Sequence, residues 1–111
     1  MSECPFCKRV ARGEYGAHSA DAVTFEPLNP VTPGHLLVIP RKHIRDVGED
    51  PWLAARVMRL AALMASRHDS ANIITSLGAP ATQTVFHAHL HVVPRREGDG
   101  LHLPWTGQVR S

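Results

Sequence analysis

Apolar residues recur every three or four positions between residues 53 and 64, which is the period of a helix that buries one face. Arginines occupy other positions of the same segment. Pro51 suits a first helical turn, and Asp50 before it is a suitable N-cap. The pattern predicts an amphipathic helix of about five turns. Its apolar stripe consists of Leu53, Val57, Leu60 and Met64.

Short runs of aliphatic, β-branched and aromatic residues predict strands on both sides of this helix. Turn segments rich in proline and glycine, at residues 29–34 and 77–84, separate the runs. The predicted strands are Ala22–Leu28, His35–Ile39, Ala71–Ser76 and Val85–Val93. Residues 8–20 read as a short helix or turn region, and residues 94–111 as an irregular tail. We therefore predict an α+β domain with an antiparallel sheet.

The last predicted strand has one apolar face and one face of histidines. Because side chains alternate along a strand, His87, His89 and His91 share one side, opposite Phe86, Ala88, Leu90 and Val92. A single strand histidine is usually solvated or hydrogen-bonded in place, but three in strict alternation favour a chemical role. They could hold zinc with one open position, or one imidazole could attack phosphorus while its neighbours handle protons. The spacing does not separate these two chemistries.

The composition is that of an ordinary globular domain. The chain has 111 residues, of which 43% are hydrophobic and 20% are charged, so one ordered domain is expected. The formal net charge of +2 is too small to indicate a nucleic-acid or membrane partner. Neither a membrane span nor a secretory signal is visible. We therefore expect a cytoplasmic protein whose thiols stay reduced.

Cys4 and Cys7 form a dithiol, CPFC, of the kind found in glutaredoxins. A redox thiol of that fold begins a helix that follows a strand, and only three residues precede Cys4. The pair could also bind a metal together with two further ligands, or the thiols could simply be packed. The residues alone leave these three possibilities open.

Several motifs together resemble the histidine-triad (HIT) superfamily. HAHLHVV has the family's alternation of histidine and apolar residues, and CPFCKRVARGE resembles the start of zinc-containing bacterial members. NPVTPGHLLVIPRKHI and the Gln83–Phe86 segment resemble the family's remaining blocks, in the family's order. The resemblance implies one HIT domain over residues 1–111, with a zinc-binding segment at 1–20 and a tail at 95–111. It also implies about five strands, one long central helix, a short N-terminal helix and a homodimer.

The resemblance further implies a reaction and its residues. His89 would attack the α-phosphate of a nucleotide and form a covalent nucleotidyl-histidine, which water then hydrolyses. The backbone carbonyl of His87 would orient the His89 ring, and His91 would bind phosphate oxygens or assist proton transfer. The implied substrate-binding residues are His35, Gln83, Thr84 and Asn29.

The same resemblance implies a structural zinc ion and no organic cofactor. In zinc-containing relatives the two cysteines are joined by a histidine after the buried strand and by the first triad histidine. The ligands would therefore be Cys4, Cys7, His43 and His87. Such a closed site leaves no position for a reacting water.

Some positions depart from the family or stay open. Many relatives carry an acidic or amide residue that binds the ribose hydroxyls at the position of Pro27, and a regular strand would turn Glu26 the other way. Arg95 and Arg96 could attract a polyphosphate or be an ordinary solvated pair. Trp105 could cover the site, reach a second subunit or plug the core. His18 and His68 are expected at the surface.

The sequence is consistent with three functions. The first is a nucleotide hydrolase or transferase acting on nucleoside phosphoramidates or dinucleoside polyphosphates. The second is a nucleotide-binding protein with weak or vestigial catalysis, suggested by Pro27. The third is a metallohydrolase whose zinc is held by the triad itself.

Overall fold

The computed structural model describes residues 3–105 and has two helices and four strands. Helix α1 spans Pro5–Ala11, strand β1 Ala22–Phe25, strand β2 Leu36–Pro40, helix α2 Pro51–Ala65, strand β3 Ala71–Thr75 and strand β4 Leu90–Pro94. A short 3-10 turn lies at Ala79–Ala81. No helix in the described residues is long and apolar enough to cross a membrane.

The four strands form one antiparallel sheet in the order β1-β2-β4-β3. The α+β class is confirmed, but the expected count of about five strands is wrong for the described residues, which contain four. The strand predicted at Val85–Val93 pairs with its neighbours only from Leu90 onward. Before Leu90 the chain does not pair with a neighbouring strand. The Ala88 N–H donates instead to the Ile44 carbonyl (2.7 Å).

Helix α2 forms as its sequence predicts and covers one face of the sheet. Asp50 accepts a hydrogen bond from the backbone N–H of Leu53 (3.0 Å), which confirms the N-cap. The predicted apolar stripe is buried. Its residues Val57, Leu60 and Met64 pack against Ala22, Val38, Leu90 and Val92, and Leu53 packs against Ile44 and Ala88. The helix has 15 residues, about four turns, and is therefore shorter than the five predicted.

Helix α1 lies against the opposite face, over β1 and β2. Phe6 and Val10 pack on a second apolar group formed by Val23, Phe25, Leu37 and Ile39. The β4 and β3 side of this face is left open by both helices. This open part of the sheet face carries His91 and is bordered by residues 101–103 of the tail.

The turn before β2 sets the position of His35. Gly34 has a positive φ of 88°, and a Cβ there would come within 3.2 Å of the Pro94 side chain, so a side chain is disfavoured on both counts. The N–H of His35 donates to the Thr32 carbonyl (3.1 Å) and closes the turn. His35 itself is buried.

Candidate functional site

The three triad histidines point away from helix α2, as the alternation predicts. Ala88, Leu90 and Val92 are buried in the apolar clusters on the helix side. Phe86, which the pattern assigned to the core, is instead 45% exposed, because regular pairing has not yet begun there. The Thr75 hydroxyl donates to the carbonyl of His89 (2.7 Å) and holds the segment next to β3.

The ring of His89 is oriented by backbone. Its Nδ1 lies 2.8 Å from the carbonyl oxygen of His87. A carbonyl only accepts, so Nδ1 carries the proton and the neutral ring keeps the Nε2 lone pair free. The edge of the Phe6 ring packs against the same imidazole, with centroids 5.3 Å apart. His89 therefore presents a nitrogen nucleophile in a fixed orientation.

A chain of hydrogen bonds fixes the opposite polarity on His91. The backbone N–H of Val31 donates to Nδ1 of His35 (3.1 Å), so the neutral His35 ring carries its proton on Nε2. That Nε2 lies 3.0 Å from Nδ1 of His91 and donates to it. His91 then carries its proton on Nε2, which is the free nitrogen of its ring. His91 offers a donor where His89 offers a lone pair.

Burial keeps both members of this chain neutral. It lowers the pKa of His91 to about 4, with repulsion from His89 and His35 adding to the effect. Burial also lowers the pKa of His35. At neutral pH the His35–His91 pair therefore acts through hydrogen bonds and not through charge.

Two cysteines and two histidines, one of them the first triad histidine, lie close together. Their ligand atoms all lie within 4.8 Å of one another, and the residues are Cys4, Cys7, His43 and His87. Nδ1 of His87 lies 3.5 Å from each sulfur, and Nδ1 of His43 lies 3.3 Å from Cys7 Sγ. Across a tetrahedral zinc ion the sulfur and nitrogen ligands are about 3.6 Å apart. The four groups therefore fit zinc in chemistry and in spacing.

The orientation of the His87 ring also suits a metal ligand. Its Nε2 lies 2.9 Å from the Pro40 carbonyl and donates to it, which leaves the Nδ1 lone pair facing the sulfurs. His87 is fully buried, and burial lowers its pKa, which favours the neutral form that binds metals. With both nitrogens committed, His87 has none left for a zinc ion shared with His89 and His91. The arrangement thus disfavours the triad-zinc alternative.

The thiols do not have the setting of a glutaredoxin. Cys4 Sγ accepts a hydrogen bond from the N–H of Cys7 (3.4 Å) and caps helix α1, with no strand leading into it in the described residues. Burial raises the pKa of the Cys7 thiol, aided by Cys4, whereas a catalytic dithiol needs a lowered one. Nor are the sulfurs merely packed, because two imidazole nitrogens face them.

A cleft of about 510 Å³ opens in front of His89 and His91. Helix α1, the end of β1 and the turn after it form one wall, and the segment before β4 forms the other. Asn29 and Thr84, both predicted to bind substrate, line this cleft together with His35. Gln83 does not. Its amide donates to the carbonyls of Arg45 and Val85 and accepts from the N–H of Gly78, so its side chain braces the loop and is not available to a ligand.

The cleft also contains residues that the sequence did not assign to it. Glu26 was expected to turn away, but β1 ends at Phe25, so Glu26 escapes the strand alternation and lines the cleft beside Pro27. Phe6 and Arg9 of helix α1 form part of the same wall, with the Arg9 guanidinium 4.5 Å from the centre of the Phe25 ring. In the sequence, Phe6 and Arg9 stand out only because they lie within two residues of Cys7.

The remaining candidates have simpler roles. Arg95 is bound to Asp99 and Asn72 and is not free to attract a polyphosphate. Trp105 is 60% exposed, so it does not plug the core. His18 and His68 are exposed, as expected. The last six residues of the predicted tail, 106–111, lie outside the described part.

Sequence comparisons agree with this geometry. The family model of the HIT domain matches residues 15–98. An uncharacterized HIT-like protein of Borreliella burgdorferi is 37% identical, over 91% of this chain and 81% of the relative. An adenylylsulfatase of Arabidopsis thaliana is 34% identical, over 91% of this chain and 56% of the longer relative.

Solved structures show the same fold. A zinc-bound histidine triad family protein of Mycobacterium smegmatis has a TM-score of 0.81 at 35% identity, covering 91% of this chain and 81% of that one. A HIT family hydrolase of Clostridium thermocellum has a TM-score of 0.78 at 27% identity, covering 88% and 95%. A hypothetical histidine triad nucleotide-binding protein of Sulfolobus tokodaii has a TM-score of 0.77 at 28% identity, covering 86% and 70%. By sequence and by structure, this chain belongs to the histidine-triad (HIT) family.

Proposed function

We propose that the protein is a nucleotide hydrolase or nucleotidyl transferase that forms a covalent nucleotidyl-histidine on His89. The observation that carries the proposal is the bond from His89 Nδ1 to the His87 carbonyl (2.8 Å), which leaves Nε2 as an unprotonated nucleophile facing the cleft. The substrates we propose are nucleoside phosphoramidates or dinucleoside polyphosphates. The relatives include an adenylylsulfatase, a HIT family hydrolase and a hypothetical nucleotide-binding protein, which supports hydrolysis of a nucleotide.

The reaction takes place in two displacements. In the first, Nε2 of His89 forms a bond to the α-phosphorus while the bond to the leaving group breaks, and the leaving group takes a proton from water. In the second, a water molecule attacks the phosphorus, the P–N bond to His89 breaks, and the proton of that water passes to solvent. A nucleotide and a protonated leaving group result, and His89 is regenerated.

His91 and His87 have supporting roles in this scheme. The Nε2–H of His91 donates to a non-bridging phosphate oxygen and stabilises the charge that develops there, with no proton given up. His35 fixes that donor through the 3.0 Å bond to His91. His87 contributes its backbone carbonyl, while its side chain belongs to the metal cluster. Thr84 lines the cleft close to the reacting groups and is the loop residue we assign to phosphate binding.

The far end of the cleft is where we place the nucleoside. Phe6, Phe25 and Leu28 give it an apolar wall that suits a base. Glu26 and Asn29 supply hydrogen-bonding groups near Pro27, which has none in its side chain. We therefore assign ribose binding to Glu26, with Asn29 beside it.

Zinc in this proposal is structural. Cys4, Cys7, His43 and His87 would fill all four positions of a tetrahedral ion, so no site for a reacting water remains. A zinc-bound relative supports the choice of metal. The ion would tie helix α1, which carries Phe6, to the segment that carries His89. No organic cofactor enters the reaction.

The wider setting follows the family. We propose one HIT domain over residues 1–111, with a zinc-binding segment at 1–20 and a tail at 95–111, acting in the cytoplasm as a homodimer. Trp52 and Leu63 on the outer side of helix α2 are 82% and 57% exposed, and such apolar surface supports pairing of two central helices. Sedimentation velocity of Trp52→Arg beside wild type tests the dimer.

The deciding experiment is to trap the intermediate. The protein is mixed with AMP phosphoramidate, quenched in milliseconds under conditions that preserve P–N bonds, and weighed by mass spectrometry. A mass increase of one AMP, mapped to His89 and absent in His89→Ala, supports the proposal. Equal turnover by wild type and His89→Ala contradicts it.

A second candidate, a nucleotide-binding protein with weak catalysis, is favoured only by Pro27. It predicts AMP binding without an adduct in the same experiment. Isothermal titration with AMP separates this outcome from complete loss of nucleotide recognition.

A further inference from the structure

A cavity outside the cleft opens onto one side of the metal cluster. It has a volume of about 370 Å³, and Cys4 and His43 line it. His43 is exposed and both cysteines are partly buried, whereas His87 is fully buried. A small molecule from solvent can therefore reach Cys4, while the His87 end of the cluster is closed. The function proposed above gives this opening no role.

The two sulfurs of the cluster belong to one turn of the chain. Cys4 is the N-cap of helix α1, and Cys7 lies in the first turn, where its N–H donates to Cys4 Sγ (3.4 Å). Residues three apart on a helix have Cα atoms about 5 Å apart, which is within the range that disulfides span. The two thiols can therefore form a disulfide by side-chain rotation, without any helix or strand moving toward another.

The two nitrogen ligands come from other parts of the chain. His43 follows strand β2 and His87 precedes strand β4. Nδ1 of His87 lies 3.5 Å from each sulfur, and Nδ1 of His43 lies 3.3 Å from Cys7 Sγ. Only thiolates act as sulfur ligands, so a disulfide would leave two imidazoles for a metal that needs four groups. Oxidation of the dithiol would therefore break the link between helix α1 and both histidines.

Helix α1 reaches the proposed nucleophile through Phe6, which lies between the two cysteines in sequence. The edge of the Phe6 ring contacts His89 (centroids 5.3 Å apart), His87 (5.8 Å) and Phe25 (5.3 Å). The helix has seven residues, none of which is fully buried, and a helix this short is marginal without outside support. The position of Phe6 against His89 therefore depends on the cluster that anchors the helix.

We propose that Cys4 and Cys7 are a peroxide-sensitive modification site, at which oxidation to a disulfide releases the metal and slows nucleotidyl transfer by His89. The effect on transfer rests on the proposed function, whereas the oxidation does not. A cysteine that binds a metal is a thiolate, which is also the form that attacks a peroxide.

The oxidation balances with hydrogen peroxide as the oxidant. The Cys4 thiolate attacks one peroxide oxygen, so that an S–O bond forms, the O–O bond breaks and hydroxide leaves. The Cys7 thiolate then attacks the Cys4 sulfur, so that the S–S bond forms and a second hydroxide leaves. Each sulfur loses one electron, and the peroxide gains both. A dithiol reductant restores the pair by thiol–disulfide exchange and is itself oxidised to a disulfide.

Hydrogen peroxide added to the reduced, zinc-loaded protein tests the proposal. A colorimetric chelator measures released zinc, a thiol reagent counts thiols after denaturation, and mass spectrometry weighs the chain. We expect release of about one zinc ion per chain while both thiols disappear and the chain loses the mass of two hydrogen atoms. Turnover of AMP phosphoramidate should fall about tenfold, because a small displacement beside a reacting group has an effect of this size or larger. A dithiol reductant together with zinc should restore turnover.

Two variants provide the controls. Cys4→Ser/Cys7→Ser cannot form the disulfide, so its turnover should match that of oxidised wild type and should not respond to peroxide. Phe6→Ala should still release zinc on oxidation, but its turnover should fall by a much smaller factor than that of wild type, because the contact with His89 is already absent. If the double variant does not fold, reduction of oxidised wild type without zinc takes its place, and turnover should then stay low until zinc is added.

The outcomes are distinguishable. Peroxide that inactivates the double variant as it does wild type, or that yields sulfinic acid in place of a disulfide, overturns the proposed site. A disulfide that forms while zinc stays bound also overturns it, and a disulfide with unchanged turnover overturns the link to His89. No turnover and no AMP adduct in the reduced, zinc-loaded protein overturns the proposed function, whereas reversible zinc release from that protein still supports the dithiol as an oxidation site.

Discussion

The candidate metal site formed by Cys4, Cys7, His43 and His87 lies beside the histidines that line the cleft, and the two regions use the imidazole ring in opposite ways. In the cluster, His87 donates from Nε2 to the Pro40 carbonyl and turns Nδ1 toward two sulfurs. Two residues later, His89 donates from Nδ1 to the His87 carbonyl and turns Nε2 toward the cleft. The His87 ring is fully buried, whereas His89 lines the open cleft. The backbone carbonyl that each ring meets therefore decides which nitrogen is available, and with it whether the histidine suits a structural or a chemical role.

The strongest test of this contrast is to remove a sulfur. Cys7→Ser should lose its zinc and lower the free energy of unfolding by on the order of 3 kcal/mol, because metal binding contributes directly to folding. Zinc is measured by plasma mass spectrometry and stability by urea unfolding. The control His91→Ala should keep about one zinc ion per chain. Loss of zinc from His91→Ala, with retention in Cys7→Ser, would place the metal in the open site.

A second test uses the pKa of His91, which burial lowers from 6.5 to about 4. Since the unfolded chain binds this proton more readily, the contribution to stability is complete above pH 6.5 and is lost as pH falls toward 4. The His91 ring is partly exposed, so solvent reduces the effect, and we expect a loss of about 1.5 kcal/mol between pH 7.5 and 5.

The control for this test is a residue that cannot titrate. His91→Asn should lose correspondingly less stability over the same pH range, as measured by urea unfolding of both proteins loaded with zinc. Loss of zinc at low pH affects both proteins and cancels in the difference. Parallel pH profiles would show that His91 is not held in its neutral form by the fold.

A smaller effect is expected at the nucleoside end of the open site. Glu26→Ala should weaken AMP binding about fivefold, the effect of roughly 1 kcal/mol of hydrogen bonding to the ribose. The ligand 2′,3′-dideoxy-AMP lacks the ribose hydroxyls, so its affinity for Glu26→Ala should differ from wild type only through the loss of the Glu26 carboxylate charge. Isothermal titration measures both ligands, and Glu97→Ala is the control outside the cleft. Equal weakening of the two ligands would remove Glu26 from ribose recognition.

The last test measures the ring tautomers of the wild-type protein directly. Nitrogen-15 spectra of the histidine rings should show the proton on Nδ1 in His89 and on Nε2 in His87 and His91. The assignments come from the loss of one signal set in each single histidine variant. A proton on Nε2 of His89 would contradict its assignment as the nucleophile, because that nitrogen would then have no free lone pair.

The elements of this fold were largely predictable because they depend on local pattern. The apolar stripe and the Asp50-Pro51 start identify helix α2, and the runs around residues 22–25, 36–40, 71–75 and 90–94 identify the strands. What failed was the extent of regular structure. Residues His87 to His89 keep the alternation of faces without pairing to a neighbouring strand, whereas Phe86 before them is exposed and does not. Periodicity does not reveal whether a neighbouring strand is present.

The predicted site divides in the same way. Motif resemblance selected the four metal-cluster residues, and the structure brings them together although 83 positions separate Cys4 from His87. The same kind of argument placed Gln83 at the substrate, whereas its buried amide is bound to three backbone groups. A motif records residue type at a position, and a glutamine that braces a loop looks the same in sequence as one that binds phosphate.

The sequence by itself determined which side chains were available for chemistry: three alternating histidines, a dithiol and a turn that carries His35. The tertiary structure decided their chemical states. Ring tautomers depend on hydrogen bonds to carbonyl and N–H groups far away in the chain, such as Pro40 for His87 and Val31 for His35. The end of β1 at Phe25 brought Glu26 into the cleft, and the Arg95–Asp99 loop built a second pocket beyond His91. These features arise from pairing between distant segments, which no local pattern of residues encodes.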